Sequence, residues 1–210
     1  MILSNVMASS LDGLIAAYQG ENEQDREAYG FGSEEDRAWV RSHLSAADAV
    51  IVGAETMRAA GKIWAVKNTQ KQFPEWLILT RNGLDATLPF WTQHSVRRTL
   101  VSPEPIHHSS WPDQTVRNLI YSGHPASFLY NYCKQQKYQN VVLFGGGVTN
   151  RLFYEQGLVS QLHLTLAPVI IARHEGLRLV TPELPTPARL RLTYSSSVNN
   201  HVFLSYQIEG

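Results

Sequence analysis

One stretch constrains the fold more than any other: Val141-Val142-Leu143-Phe144-Gly145-Gly146-Gly147-Val148-Thr149-Asn150-Arg151-Leu152. Its first four residues are apolar without alternation, as in a strand buried on both faces of a parallel sheet. Consecutive glycines then stop the strand, and a helical pattern follows over residues 149–156. Glycine lacks Cβ, so its backbone can approach a ligand closely or adopt dihedrals closed to other residues. The helix offers unpaired N–H groups and the positive end of its dipole. The segment therefore suits a diphosphate, and it suits a tight strand-to-helix turn equally well. It is not G-x-G-x-x-G, so it is not that dinucleotide fingerprint.

The same alternation runs along the chain. Residues 1–7 read as a strand, and apolar character resumes at 14–17 after the turn Leu11-Asp12-Gly13. A helix starts at Ser33, where Ser33-Glu34-Glu35-Asp36 resembles a capping box with Asp in its fourth place. Further strands are expected at 49–52, 76–79, 99–101, 116–121 and 161–166, and a helix at 127–137. Two alternating runs, 190–195 and 202–208, flank Asn199-Asn200 and predict a terminal antiparallel hairpin. No repeat or linker divides the chain, so residues 1–210 are expected to form a single domain. The fold class is α/β: a central, mostly parallel mixed sheet, helices on both faces, and antiparallel C-terminal strands.

Ligands of such sheets sit at the carboxyl ends of the strands, and several ends here carry suitable residues. Gly53 allows close approach, and Thr56 offers a hydroxyl or a helix cap. Thr80 and Arg81 pair a hydroxyl with a guanidinium fork, a good match for a phosphate monoester; Arg81 as a solvated loop charge is the plainer alternative. Ser102 ends another strand. Asp12, in Ser9-Ser10-Leu11-Asp12-Gly13, is either a substrate ligand or a simple turn former.

Composition narrows the partners. Lys+Arg and Asp+Glu both number 18, so no global charge draws the chain to nucleic acid or an anionic membrane. At 43% hydrophobic residues the chain is not disordered. Only 17% are charged, which favours a homo-oligomer. The lone Cys133 cannot form an internal disulfide and reads as a packed thiol. No apolar run is long enough to span a bilayer, and the start is a poor signal peptide. A cytoplasmic protein is the expectation. His107-His108 fall short of a metal-ligand set, so no metal is expected.

Taken in order, several segments resemble the reductase family of riboflavin biosynthesis, on the dihydrofolate-reductase-like fold. They are Ser9-Ser10-Leu11-Asp12-Gly13-Leu14-Ile15-Ala16, Ser33-Glu34-Glu35-Asp36-Arg37, the run from Ala47 to Thr56, Leu143-Phe144-Gly145-Gly146-Gly147, and the stretch from Gly157 to Pro168. The resemblance implies NADPH. Gly53 and Thr56 would lie against it, Thr80 and Arg81 would receive the adenosine 2′-phosphate, and Ser102 would add a contact. Gly145, Gly146, Gly147 and Val148 would line the diphosphate and nicotinamide ribose. Asp12 would face the substrate. The reaction implied is hydride transfer to a C=N or C=O carbon, as in reduction of the opened ribose of 5-amino-6-(5-phosphoribosylamino)uracil. A homodimer is also implied.

The sequence departs from that family in two places. The usual acidic and proline run after the Thr is replaced by Ala59-Ala60-Gly61-Lys62-Ile63-Trp64-Ala65-Val66-Lys67. The Glu that usually precedes the glycines, touching substrate, is Phe144. A second resemblance is local: Asp36-Arg37-Ala38-Trp39-Val40-Arg41 is similar to the helix carrying the pterin-binding acid of dihydrofolate reductases. Asp36 would then bind a pteridine. The alternatives to a pyrimidine reductase are therefore a dihydrofolate reductase-type enzyme and a nicotinamide-nucleotide-binding protein without turnover.

Overall fold

The computed structural model describes residues 1–106 and 111–209; His107 and His108 lie outside the described residues. The chain runs β1 (Ile2–Ser9), β2 (Leu14–Ala16), α1 (Glu23–Ala28), α2 (Glu34–Ser45), β3 (Ala49–Gly53), α3 (Ala54–Ala60) and β4 (Glu75–Leu79). It continues through β5 (Arg98–Ser102), β6 (Arg117–Ile120), α4 (Pro125–Gln135), β7 (Asn140–Leu143), α5 (Gly147–Tyr154), β8 (Gln161–Leu166), β9 (Leu177–Arg178), β10 (Arg189–Val198) and β11 (His201–Glu209).

The main sheet has nine strands in the order β10-β11-β8-β1-β7-β3-β4-β5-β6. Every pairing from β8 across to β6 is parallel. β11 joins β8 antiparallel, and β10 joins β11 antiparallel. The parallel strands therefore end along one edge, which gathers Ser9, Gly53, Thr80, Ser102 and Gly145.

The unalternating apolar runs are explained by burial on both sides. In β3 all five residues are buried. Val50 and Val52 join Trp76, Ile78 and Leu100 under α2 and α3, with Val40, Leu44 and Met57. Ala49 and Ile51 face the other way, joining Leu77, Leu129 and Phe153 under α4 and α5. Cys133 lies in that second core, and burial pushes its thiol up to about 12. Among the described residues no helix is long and apolar enough to cross a membrane, and no cluster of three metal-ligating side chains occurs.

The terminal hairpin turns through Asn199 and Asn200, at φ 49° and 66°. Asparagine tolerates this left-handed region better than most residues. Its strands lose register between Leu192 and Tyr194, so Leu192 stands opposite Tyr206 and Tyr194 opposite Ser205. Leu190 and Leu192 consequently share a face with Tyr206 and Ile208, whereas Tyr194 turns over and stacks on Trp39 of α2, ring centroids 5.8 Å apart.

The structure adds elements the sequence patterns did not predict. α1 is short and buries no residue, so it carries no apolar stripe to read. Its signal is local, a capping box in which Asn22 accepts from the Asp25 N–H and Asp25 accepts from Asn22. β2 and β9 form a separate two-stranded ribbon. The loop 82–94 holds a 3-10 turn at Pro89–Thr92 that buries Phe90 and Trp91.

The opposite sheet edge is closed by Glu75, whose side chain is fully buried. Burial would raise its pKa, but Tyr138, Thr99, Arg117 and Arg97 together hold it below the ordinary carboxylate value. Thr99 Oγ1 donates to it at 2.7 Å and Arg97 at 3.0 Å.

Candidate active site

The glycines after β7 are required first by the protein itself. Gly145 has φ +89°, and a Cβ there would come within 2.5 Å of Met7 Sδ. A Cβ on Gly147 would overlap the Arg178 carbonyl oxygen, and one on Gly53 would overlap Thr149 Oγ1. These three glycines thus let β3, α5 and the 178–181 segment close on one another. The tight-turn reading of the segment accounts for them without a ligand. Gly146 differs: at φ +33°, an added Cβ would meet only Thr56 Oγ1, at 3.0 Å. It is the N-cap of α5, and no side chain caps that helix. Val148, in the first turn, is 62% exposed. The start of α5 thus keeps the open donors and dipole end that suit an anion.

Thr56 does not cap α3; Gly53 is the N-cap. The Thr56 hydroxyl instead faces Gly146. Thr80 is buried and donates to the Gly83 carbonyl at 2.9 Å, so its hydroxyl shapes the 80–83 turn. Ser102 is engaged too, donating to Glu104 O at 2.6 Å and accepting from Asn118 Nδ2 at 2.8 Å. Each hydroxyl thus has a structural bond of its own at its strand end. Arg81 is exposed, and its guanidinium has no partner among the described residues.

Asp12 is exposed and tied to the segment after β8. Its carboxylate accepts from the Ile171 and Ala172 N–H groups at 3.0 and 2.8 Å. The Ser10 side chain and these two amides hold its pKa down at about 2. Both oxygens are therefore used in fastening the 10–13 turn to the segment after β8.

Asp36 lies on the other side of β1. The capping box forms by half: Ser33 Oγ accepts from the Asp36 N–H at 3.1 Å, but the Asp36 carboxylate does not return to Ser33. It turns inward toward Thr165 of β8 and His201 of β11. Burial raises its pKa, against opposing pulls from Thr165, His201 and Arg26. Asp36 Oδ1, Thr165 Oγ1 and His201 Nε2 are all buried without a hydrogen-bond partner. Thr165 and His201 are 0% and 5% exposed, so these groups lie inside the packing of α2 against β8 and β11.

Phe144 sits between the two halves of the site at the end of β7. Its ring lies 6.1 Å from both Trp64 and Trp76, making an aromatic wall where a carboxylate was the family expectation. Lys67 is drawn over Phe73, 5.1 Å from the ring centroid.

Sequence reasoning missed Thr165, His201 and Thr149. Thr165 and His201 lie in strands whose alternation marks them only as inward-facing. The approach of α2 that makes them functional candidates is tertiary.

Residues 2–204 match the family model of the RibD C-terminal domain. No curated protein matches the chain. Among solved structures, a pyrimidine reductase-like protein from Corynebacterium diphtheriae is 20% identical with a TM-score of 0.80, covering 100% of this chain and 92% of that one. RibD of Acinetobacter baumannii is also 20% identical, with a TM-score of 0.78, covering 100% of this chain and 58% of that one. This chain thus spans little more than half of that RibD chain. Dihydrofolate reductase from Enterococcus faecalis, complexed with NADP(H), is 13% identical at a TM-score of 0.61, covering 100% and 97%. At these identities the structures share a fold, the dihydrofolate-reductase-like one. The match to the family model is of another kind, because it takes in nearly the whole chain: this protein belongs to the RibD C-terminal domain family.

Proposed function

We propose that the chain is an NADPH-dependent pyrimidine reductase, acting on 5-amino-6-(5-phosphoribosylamino)uracil or a close relative. The observation that carries this reading is one sheet edge holding the unpartnered guanidinium of Arg81, the uncapped start of α5 and the inward-turned carboxylate of Asp36. When bound, the nicotinamide cofactor supplies the hydride. Arg81 pairs with the 2′-phosphate, and the first N–H groups of α5 receive the diphosphate beside Gly146. Asp36 takes N–H donors of the substrate ring. Phe144 and Trp64 form a water-excluding wall between the two, so the protein's contribution is position and desolvation.

The test is loss of NADPH absorbance with ribosylaminouracil phosphate as acceptor. Turnover that disappears in Asp36→Asn with NADPH binding intact is the expected result. Binding without oxidation of NADPH across carbonyl and imine acceptors would overturn the catalytic reading and favour a nucleotide-binding protein. The inward turn of Asp36 toward Thr165 favours one second reading, a pterin as the ring bound there. Dihydrofolate in the same assay, reduced where the ribosylaminouracil is not, would select it.

We also propose a homodimer. The β10–β11 face carries Leu190 and Leu192, which are 41% and 49% exposed, beside Tyr206 and Ile208. Exposed contiguous apolar surface of this kind marks an interface. Light scattering should give twice the monomer mass, falling to the monomer in Leu192→Lys.

A further inference from the structure

The turn after β4 carries the sequence's one asparagine followed by glycine, Asn82-Gly83. Asparagine is a chemically labile residue, because the backbone nitrogen of the next residue can attack its side-chain amide carbon. Two things restrain that attack: the neighbour's side chain, and hydrogen bonds that hold the two groups apart. Glycine has no Cβ to stand in the way. Asn82 is exposed, and its side-chain amide has no partner among the described residues. The Gly83 N–H has no acceptor among them either. The turn is fastened on the far side of the glycine, where Thr80 Oγ1 and Arg58 Nη2 both donate to the Gly83 carbonyl at 2.9 Å. The peptide is therefore held at its exit, while the nitrogen and the amide that must meet are tied to nothing.

Other asparagines are restrained. Asn68 Oδ1 accepts from the Gln70 and Gln72 N–H groups at 3.0 and 2.9 Å. Asn118 Nδ2 donates to Ser102 Oγ at 2.8 Å, and Asn199 Nδ2 donates to the Glu35 carboxylate. Asn5 and Asn150 are fully buried and bonded to each other. The charges around Asn82 come from three places. Arg81 precedes it and is exposed. Arg58 reaches the turn from α3, paired with Glu55. Asp85 is turned away, accepting from the Thr87 N–H and hydroxyl at 2.9 and 2.8 Å.

We infer that Asn82 is a deamidation site, and that its conversion sets a carboxylate beside Arg81 that weakens the grip of this residue on a phosphate. The Gly83 nitrogen gives up its proton to solvent and bonds to Asn82 Cγ. The Cγ–Nδ2 bond breaks, and Nδ2 leaves as ammonia after taking a proton back from solvent. Water then opens the five-membered succinimide at either carbonyl. One opening gives aspartate at position 82; the other gives isoaspartate, with the main chain routed through the side-chain carbon. The net change is amide plus water to carboxylate plus ammonium, with no oxidation or reduction. The new carboxylate is a partner for the Arg81 guanidinium and a like charge to any phosphate bound there. The effect on the cofactor rests on the proposed reading that Arg81 meets the 2′-phosphate; the deamidation itself does not.

Two measurements separate the halves. In the first, the full chain is held in mildly alkaline buffer, sampled over time and digested with trypsin for mass spectrometry. Residues 72–97 contain no other asparagine, so fragment masses from that segment report Asn82 directly. Asn82 should convert well ahead of Asn68, and Asn82→Ser should leave the segment unchanged. Conversion at Asn82 no faster than at Asn68 would overturn the site. In the second, fresh wild type, converted wild type and Asn82→Asp are titrated with NADPH and NADH by calorimetry. The Kd for NADPH should rise about two- to fivefold on conversion, with that for NADH level, and Asn82→Ser should keep its fresh values after the same incubation. Converted protein that binds NADPH as tightly as fresh protein would overturn the effect on Arg81. Fresh protein that binds neither nucleotide would instead defeat the proposed function, with the masses of residues 72–97 still deciding the site.

Discussion

Arg81→Ala offers a sharp test of the cofactor reading, because the structure separates binding from folding at this residue. The guanidinium follows β4 directly, is exposed, and has no partner among the described residues. Its loss should therefore change stability by no more than about 0.5 kcal/mol, or ~1–2 °C in Tm for a chain of this size. The neighbouring turn keeps its own fastening, since Thr80 Oγ1 still donates to Gly83 O. A charge-assisted hydrogen bond contributes about 1.5–3 kcal/mol, which corresponds to roughly a 10- to 150-fold rise in Kd. That penalty should fall on NADPH alone, since NADH lacks the 2′-phosphate. Calorimetric titration of wild type and variant with both nucleotides gives the four constants needed. Salt should narrow the wild-type preference for NADPH, because the contact is exposed. Equal weakening of NADPH and NADH, with Tm unchanged, would refute the assignment of Arg81 to the 2′-phosphate.

Other consequences are checked more briefly. Glu75→Ala leaves the buried Thr99 hydroxyl without its acceptor, while Arg97 and Arg117 stay more than half exposed, and should cost about 1–3 kcal/mol, or ~2–12 °C in Tm. NADPH affinity at 20 °C should stay within twofold, because Glu75 begins β4 at the edge remote from Arg81. Gly147→Ala should destabilise by about 1–3 kcal/mol in urea, since its Cβ would overlap the Arg178 carbonyl oxygen; a neutral result would show that the 178–181 segment yields freely. Burial, and then the neighbouring His163, hold His43 down at about 4. The folded ring therefore stays neutral while the unfolded chain takes up a proton below its ordinary value. Stability should fall as pH drops from about 6.5 to about 4, by ~1–2 kcal/mol once the ring's partial exposure is allowed for. Urea midpoints of His43→Phe should lose that part of the pH dependence.

Much of the architecture was legible in the sequence because its signals were local. The apolar run of β3 announced burial on both faces, and the Asn199-Asn200 pair announced the hairpin. α1 escaped notice because a six-residue helix with no buried face has no periodicity to detect. The side-chain contacts at the strand ends were less legible. The strand ends do gather along one edge, but the hydroxyls of Thr80 and Ser102 turn to loop carbonyls, and Asp12 turns to the amides of Ile171 and Ala172. Small polar side chains satisfy whichever backbone group lies nearest, and loop geometry decides which that is. Asp36 shows the same limit in reverse. Its sequence context fits a capping box, and only the packing of α2 across β8 and β11 reveals that the carboxylate looks inward.

The lost register in β10 has a consequence for how this protein can vary. Before that point the strand presents leucines to one side; beyond it, Tyr194 presses on the other. One surplus residue thus makes a single ribbon sticky on both flanks, outward for a neighbour and inward for α2. Deleting Thr193 would rotate every side chain on one arm by half a turn. A change that small would loosen the helix bearing Asp36 and rewrite the exposed flank in the same stroke.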